Sequence, residues 1–224
     1  MAEVVITVLG LGLLIVGGMS FVFSIFVISM SSDNSKLTAI DLQGDSNEIH
    51  EMSEVVDWAA ENGFEWIDAY WGHFPFFPVK PLILAWRNQE GTYLAAYKAG
   101  ELIAVDFLTR YSMTSQASMT SSRTQAGQAY PSMPDCYSQQ FKEIDLPALH
   151  RLHNEALNFL RNKYSLIPVH SDEPFEQSFL GFLRDHMIFV RSIPLWPLKV
   201  IFWQFKKKQF LGIPATERYA QSLT

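Results

Sequence analysis

His150 and His153 stand three residues apart in DLPALHRLHNEALNFL, and Cys136, Glu143 and Asp145 lie close by in sequence. Imidazole, thiolate and carboxylate are zinc donors, but a metal site needs three or four of them converging. A pair at i, i+3 on one helix supplies two at most. His153 falls on the apolar stripe of that helix, where a hydrogen-bonded core histidine is the plainer reading. His150 is expected to face solvent. His170 and Asp172, near Pro168, have the residue types of an acid–base pair but also those of a helix start. Cys136 is the chain's one cysteine, so neither an intrachain disulfide nor a CxxC pair can form. As a nucleophile it needs a base beside it, and the surrounding sequence offers none.

A different kind of site is suggested by Tyr70, Trp71, His73 and Phe74, an aromatic cluster interrupted only by Gly72. These four either line a groove for a ligand or partner or fill the core beneath a sheet. The glycine-rich GLGLLIVGG at 10–18 resembles a phosphate-binding loop in composition only, because it lies within a long apolar run and follows no strand. The chain contains no P-loop, HExxH, GxSxG or EF-hand pattern. No catalytic constellation, bound metal or cofactor is therefore expected.

The elements that position these residues can be read from hydrophobic spacing. A helix is expected from about 48 to 62, with Asp45 and Glu48 at capping-box spacing and Gly63 just past its end. A strand over 64–70 leads into an aromatic, proline-broken loop. PLILAWRN, TYLAAYKA and ELIAVDFLTRY then read as strands joined by short glycine-containing turns, the pattern of an antiparallel meander. Residues 112–124 read either as a further strand or as a polar loop, with strand the better fit. AGQAYPSMPDCYSQQ reads as a loop. Asp145 and Pro147 open a second helix to about 163, whose buried stripe carries Leu149, Leu152, His153, Ala156, Leu157 and Leu160. A third helix is expected over 171–190, capped by Ser171 or Asp172.

Both ends of the chain differ from this body. Val4 to Met30 holds no charged residue and would span about 40 Å as a helix, more than the roughly 30 Å of a bilayer's hydrocarbon. Its n-region lacks Lys and Arg and its apolar run is far too long for a cleaved signal peptide. A single transmembrane helix is expected. Gly10, Gly17, Ser20 and Ser24 fall near one of its faces, where small residues let a second helix approach. Lys36 is the first basic residue after it, which places the body on the cytoplasmic side by the positive-inside rule.

At the other end, LWPLKVIFWQFKKKQF is too short and too charged to span. As a helix it puts Leu198, Ile201, Phe202 and Phe205 on one face, flanked by Trp196, Trp203 and Phe210, with Lys199, Lys206, Lys207 and Lys208 outside it. That is the pattern of an interfacial helix. The rival reading is an ordinary amphipathic helix closing the core. The final residues read as a turn and a frayed end.

Composition agrees with a protein that meets lipid. Charged residues are 18% of the chain and aromatics 14%, against about 25% charged in ordinary soluble domains. The net charge of −6 is uneven: from Arg191 onward six basic residues face one acidic one, leaving 11 basic and 22 acidic in 1–190. An acidic body excludes nucleic acid as its partner, and the basic tail suits an anionic membrane.

The expected organisation is α+β. A transmembrane anchor (1–30) and a linker (31–47) precede a small domain (48–190), in which a meander of three to five strands is flanked by about three helices. A basic amphipathic segment lies at 191–224. The expected function is a non-catalytic, single-pass accessory or scaffold subunit of a larger membrane complex, with membrane lipid and an integral membrane protein as partners. A membrane-tethered ligand-binding or sensor domain is the alternative, and a membrane-bound hydrolase or transferase the third reading.

Overall fold

In the computed structural model, the described residues are 17–18, 20–25, 27–41, 47–75, 79–111, 117–124, 130–169 and 173–220. Seven strands follow one another across a single sheet in chain order. They are β1 (Lys36–Ile40), β2 (Glu65–His73), β3 (Leu82–Arg87), β4 (Tyr93–Ala99), β5 (Leu102–Arg110), β6 (Ser118–Arg123) and β7 (Cys136–Phe141). The first six pair antiparallel, while β6 and β7 run parallel in register Ser118↔Cys136 to Arg123↔Phe141. A parallel pair needs a crossover of about a dozen residues or more, which the β6–β7 connection just provides. The helices are α1 (helical at 17–18, 20–25 and 27–30), α2 (Asn47–His50), α3 (Ser53–Glu61), α4 (Leu146–Tyr164), α5 (Phe175–Ser192), α6 (Trp196–Lys206) and the short α7 (Ala215–Arg218).

The fold class is α+β, with a larger sheet than the expected meander of three to five strands. Two strands arise where none was expected. Residues 36–40, read as linker, form β1 along the edge of β2. Residues 136–141, read as loop, form β7. The expected first helix is interrupted at Glu51–Met52 into α2 and α3, with Met52 buried in the core at the junction. Gly63 does follow α3 with φ 74°, the left-handed conformation that glycine adopts without penalty. Asp45, Ser171 and Asp172 lie outside the described residues, as do 112–116 and His170.

Helices cover both faces of the sheet, which is why β3 and the start of β4 are buried on both sides and read as continuous apolar runs. On one face Val55 and Ala59 of α3 and Leu146 and Leu149 of α4 pack on Leu94, Ala96, Val105 and Phe107. On the other, Phe175, Met187 and Val190 of α5 and Val27 and Met30 of α1 pack on Ile83, Ala85, Tyr93 and Ala95. Fully burying one such large side chain contributes about 1.5–3 kcal/mol. α4 starts as its sequence requires: the Asp145 side chain accepts a hydrogen bond from the Ala148 N–H at 2.7 Å, with proline in the first turn.

Among the described residues no helix is long and apolar enough to cross a membrane. The expected span over 1–30 is not supported there, and most of it, residues 1–16 with 19 and 26, lies outside them. Its C-terminal turn departs from the expectation: Val27 and Met30 belong to the core of the domain, not to a lipid-facing helix.

The C-terminal segment is also better ordered than a frayed end. Beyond a 3-10 turn (Lys207–Phe210), it runs along the outer edge of β7. The Gly212 N–H donates to the Gln140 carbonyl at 2.7 Å, and the Ser138 N–H donates to the Tyr219 hydroxyl at 3.0 Å. The Arg218 guanidinium donates to the Ser138 carbonyl at 3.1 Å. An edge strand with unpaired N–H and C=O groups templates aggregation, and here the tail occupies it.

Candidate functional site

Among the described residues a buried polar network joins α4 to the start of β4 and to β5, β6 and β7. His153 is fully buried and has a hydroxyl on each ring nitrogen: Thr109 Oγ1 is 2.9 Å from Nε2 and Ser121 Oγ is 2.8 Å from Nδ1. Gln139 donates its amide to Ser121 Oγ at 2.7 Å, and Thr109 Oγ1 lies 2.7 Å from Thr92 Oγ1. The Ala215 N–H in turn donates to Gln139 Oε1 at 2.8 Å. The neutral ring donates from one nitrogen and accepts at the other, so one of the two hydroxyls donates to it and the other accepts from it. The chain of bonds satisfies every member, as a buried network must.

A serine beside a histidine is the arrangement of a base-activated nucleophile. Here both are fully buried, and burial lowers the His153 pKa to about 3, with a lesser push from His150. The imidazole is a neutral, structural hydrogen-bonding group. His150, expected to face solvent, is instead half-buried among the rings of Trp58, Phe64 and Phe107, with centroids 5.3, 5.7 and 5.1 Å away. Burial lowers its pKa too. Among the described residues no group of three His, Cys, Asp or Glu side chains could hold a metal ion. Cys136 is half-buried on β7, and burial raises its thiol pKa, the opposite of the shift that activates a cysteine nucleophile.

On the opposite face of the sheet, Asp106 accepts hydrogen bonds from Ser122 and Tyr97. Burial raises its carboxyl pKa to about 6 against the pull of those two bonds. Nothing in the sequence marked this residue except its place in the alternation of β5.

The aromatic cluster does not gather on one surface. Period-two alternation sends Tyr70 and Phe74 into the core against α5, while Trp71 packs on the α3 side. His73 is half-buried at the strand end. Gly72 between them is buried, and a Cβ there would stand 2.7 Å from the Phe74 ring and 2.9 Å from Pro81.

The feature that most needs an explanation is on the outside. Phe21 and Val22 of α1 are 66% and 63% exposed, Leu195 is 69%, and Leu198 and Phe202 of α6 are 64% and 53%. α1 and α6 touch where the Ser20 hydroxyl donates to the Pro197 carbonyl. Phe21, Val22, Leu195 and Leu198 all lie within two residues of that contact. The small-residue face is thus partly spent inside the chain: Ser20 is buried against α6 and Ser24 donates to the Ser20 carbonyl at 2.8 Å. Gly17 remains open, with nothing within 4 Å of a Cβ, and Gly10 lies outside the described residues.

α6 is oriented differently from the sequence expectation. Trp196 and Trp203 turn inward onto the α5 side of the core, and Trp203 meets the Tyr130 ring at 6.4 Å. Leu198 and Phe202 turn outward together with Lys199 and Lys206. Lys206, expected away from the apolar face, lies over the Phe202 ring at 4.6 Å. The side chains of Ile201, Phe205, Lys207 and Lys208 lie outside the described residues. Exposed apolar side chains with one lysine folded over them thus line the outer side of α6.

Comparison with protein-family models, with curated proteins and with solved structures gave no match to this chain.

Proposed function

We propose that the chain is a membrane-anchored, non-catalytic accessory or scaffold subunit of a larger membrane complex, with its α+β domain held against the bilayer on the cytoplasmic side. The observation that carries this reading is a set of five large apolar side chains, each more than half exposed, on α1, on α6 and at the residue before α6, two helices that meet at the Ser20–Pro197 hydrogen bond. Exposed apolar surface, where it is extensive, marks contact with a partner or a membrane. With Val27 and Met30 assigned to the core, the apolar run over residues 4–26 keeps 23 residues. Sixteen of them, 4–19, precede the Ser20 contact with α6 and would extend about 24 Å as a helix, so crossing the roughly 30 Å of hydrocarbon also takes in α1 to about residue 23. Lipid and an integral membrane protein are the partners this surface suits, and Gly17 leaves room for a neighbouring helix.

Purification of the tagged full-length chain from its native membrane in mild detergent, with mass spectrometry of what accompanies it, tests the proposal. A stoichiometric membrane protein is the expected result. A monodisperse chain that carries no partner overturns the accessory role, and release by alkaline carbonate without detergent overturns the anchor.

A second reading rests on a separate observation. A groove of about 650 Å³ opens between β1, β2 and the first helices, lined by Ile40, Ile49, Val56, Trp66, Asp68 and Leu84. Its size and apolar lining suit a small ligand, which favours a membrane-tethered binding or sensor domain. A rise in thermal stability with ligand, in the absence of any protein partner, selects this reading.

A further inference from the structure

A second cleft, of about 440 Å³, lies between the segment preceding β7, the end of α6 and α7. We propose that it receives the phosphate of an anionic phospholipid headgroup, an inference that rests on the membrane-anchored reading above. Tyr130, Trp203 and Phe210 form aromatic walls, and Lys206 and Arg218 bring two cations. Among the described residues neither cation belongs to an ion pair, whereas six other basic side chains do. Arg218 is held in place before any ligand arrives. Its Nη1 donates to the Ser138 carbonyl at 3.1 Å and hydroxyl at 3.3 Å, and its guanidinium lies 4.4 Å from the Phe210 ring centroid and 5.2 Å from that of Tyr219. A guanidinium has five N–H donors in a planar fork matched to phosphate oxygens. One engaged nitrogen leaves donors for a ligand and removes much of the rotamer entropy that binding would otherwise cost.

Continuity selects a lipid over a soluble phosphate. Lys206 sits over Phe202, and Phe202 is itself 53% exposed beside the outward apolar face of α6. The cation therefore marks the junction between the cleft and the surface that meets acyl chains. A phosphodiester placed between Lys206 and Arg218 has its tails over Phe202 and Leu198. Asp135, which also lines the cleft, repels a second phosphate and accepts hydrogen bonds from headgroup hydroxyls, which suits a glycerol headgroup.

The test uses the full-length chain in neutral detergent micelles doped with equal amounts of phosphatidylglycerol and phosphatidylcholine, with the retained lipid read by native mass spectrometry. The wild-type chain should retain phosphatidylglycerol in excess. Loss of a charge-assisted bond predicts that Arg218→Gln and Lys206→Gln each lower the retained ratio by about tenfold. Arg218→Lys should fall between, and Lys142→Gln, on an exposed lysine that is paired with Glu143 and does not line the cleft, should match wild type. If Arg218→Gln fails to fold, Lys206→Gln decides alone, because that side chain is exposed and its one ring contact lies within α6. Equal retention of the two lipids, or Lys206→Gln behaving as Lys142→Gln, overturns the proposal. So does soluble glycerol 3-phosphate displacing the lipid at equal concentration, which assigns the cleft to a free phosphate. Carbonate release of the wild-type chain from its membranes tests the anchor separately and leaves the micelle ratio readable.

Discussion

His153 and Asp106 make opposite contributions to stability as pH changes, and the structure sets the size of each. The His153 pKa falls from 6.5 to about 3 in the folded state. Folding therefore favours the neutral ring, and its contribution is complete above 6.5 and is lost as pH falls. Between about pH 8 and about pH 5 the loss is about 2 kcal/mol, taking 1.36 kcal/mol per unit. The Asp106 pKa rises from 3.8 to about 6. Folding favours its protonated form, so its contribution is complete below 3.8 and is lost as pH rises through 6. Acidification over the same range returns about 1 kcal/mol, after a discount for the solvent that a half-buried carboxyl still reaches. The wild-type chain should thus lose only about 1 kcal/mol from the two together.

Substitution separates them. Asp106→Asn keeps an acceptor for Tyr97 and Ser122 but removes the titration, so the full loss of about 2 kcal/mol appears, a fall in Tm of roughly 4–8 °C for a chain of this size. His153→Gln keeps hydrogen-bonding capacity and removes the other titration, so its Tm should rise by roughly 2–4 °C on acidification. Thermal unfolding of the full-length chain in mild non-ionic detergent, followed by near-ultraviolet circular dichroism, measures all three. Every other titrating group is common to them and cancels in the differences. Parallel pH profiles for wild type, Asp106→Asn and His153→Gln would refute the assignment of these two groups as the buried titrating pair.

Three further substitutions probe the frame around them. Gly72→Ala should cost about 1–3 kcal/mol by overpacking, since its Cβ would stand 2.7 Å from a buried Phe74 ring and 2.9 Å from Pro81; an unchanged Tm contradicts the close approach. Asp145→Ala removes the acceptor for the Ala148 N–H and should lower stability by about 1 kcal/mol, read from the same melt. Truncation after Phe210 uncovers the outer edge of β7, and the chain should self-associate in light scattering while the intact chain does not; a monodisperse truncated chain shows that the tail is not needed as an edge cover.

The sequence made visible those elements whose side chains face one environment per face. β5 alternates, and Val105, Phe107 and Thr109 are all fully buried as the alternation implies. The stripe of α4 and its aspartate cap were equally legible. β7 was not, because CYSQQF has the composition of a loop. Its buried Gln139 is paid for by hydrogen bonds to Ser121 and to the Ala215 N–H, partners distant in sequence. β1 was hidden by brevity: only Leu37 of its five residues is buried, and turn-rich sequence surrounds it. The polar network around His153 joins residues from 92 to 215, so no local spacing could announce it. One signal was available, a histidine set among leucines on the buried stripe of a helix, which implied a polar partner in the core without saying which.

α6 carries the argument about location furthest, because large apolar side chains point both into the domain and out of it. Trp196 and Trp203 explain why the helix docks on the domain: they fill space against the α5 side of the core. That docking would be complete with polar residues at 198 and 202, the usual outward face of a surface helix. Leucine and phenylalanine there do nothing for the domain in water, and they face outward beside Leu195 and the equally exposed Phe21 and Val22 of α1. A structural role explains the tryptophans and leaves the outward residues unexplained; a neighbour that is itself apolar explains both. Since α1 and α6 meet at Ser20 and Pro197, one such neighbour would cover both helices under the proposed reading, and the lysine over Phe202 would set its charged boundary beside the Arg218 cleft.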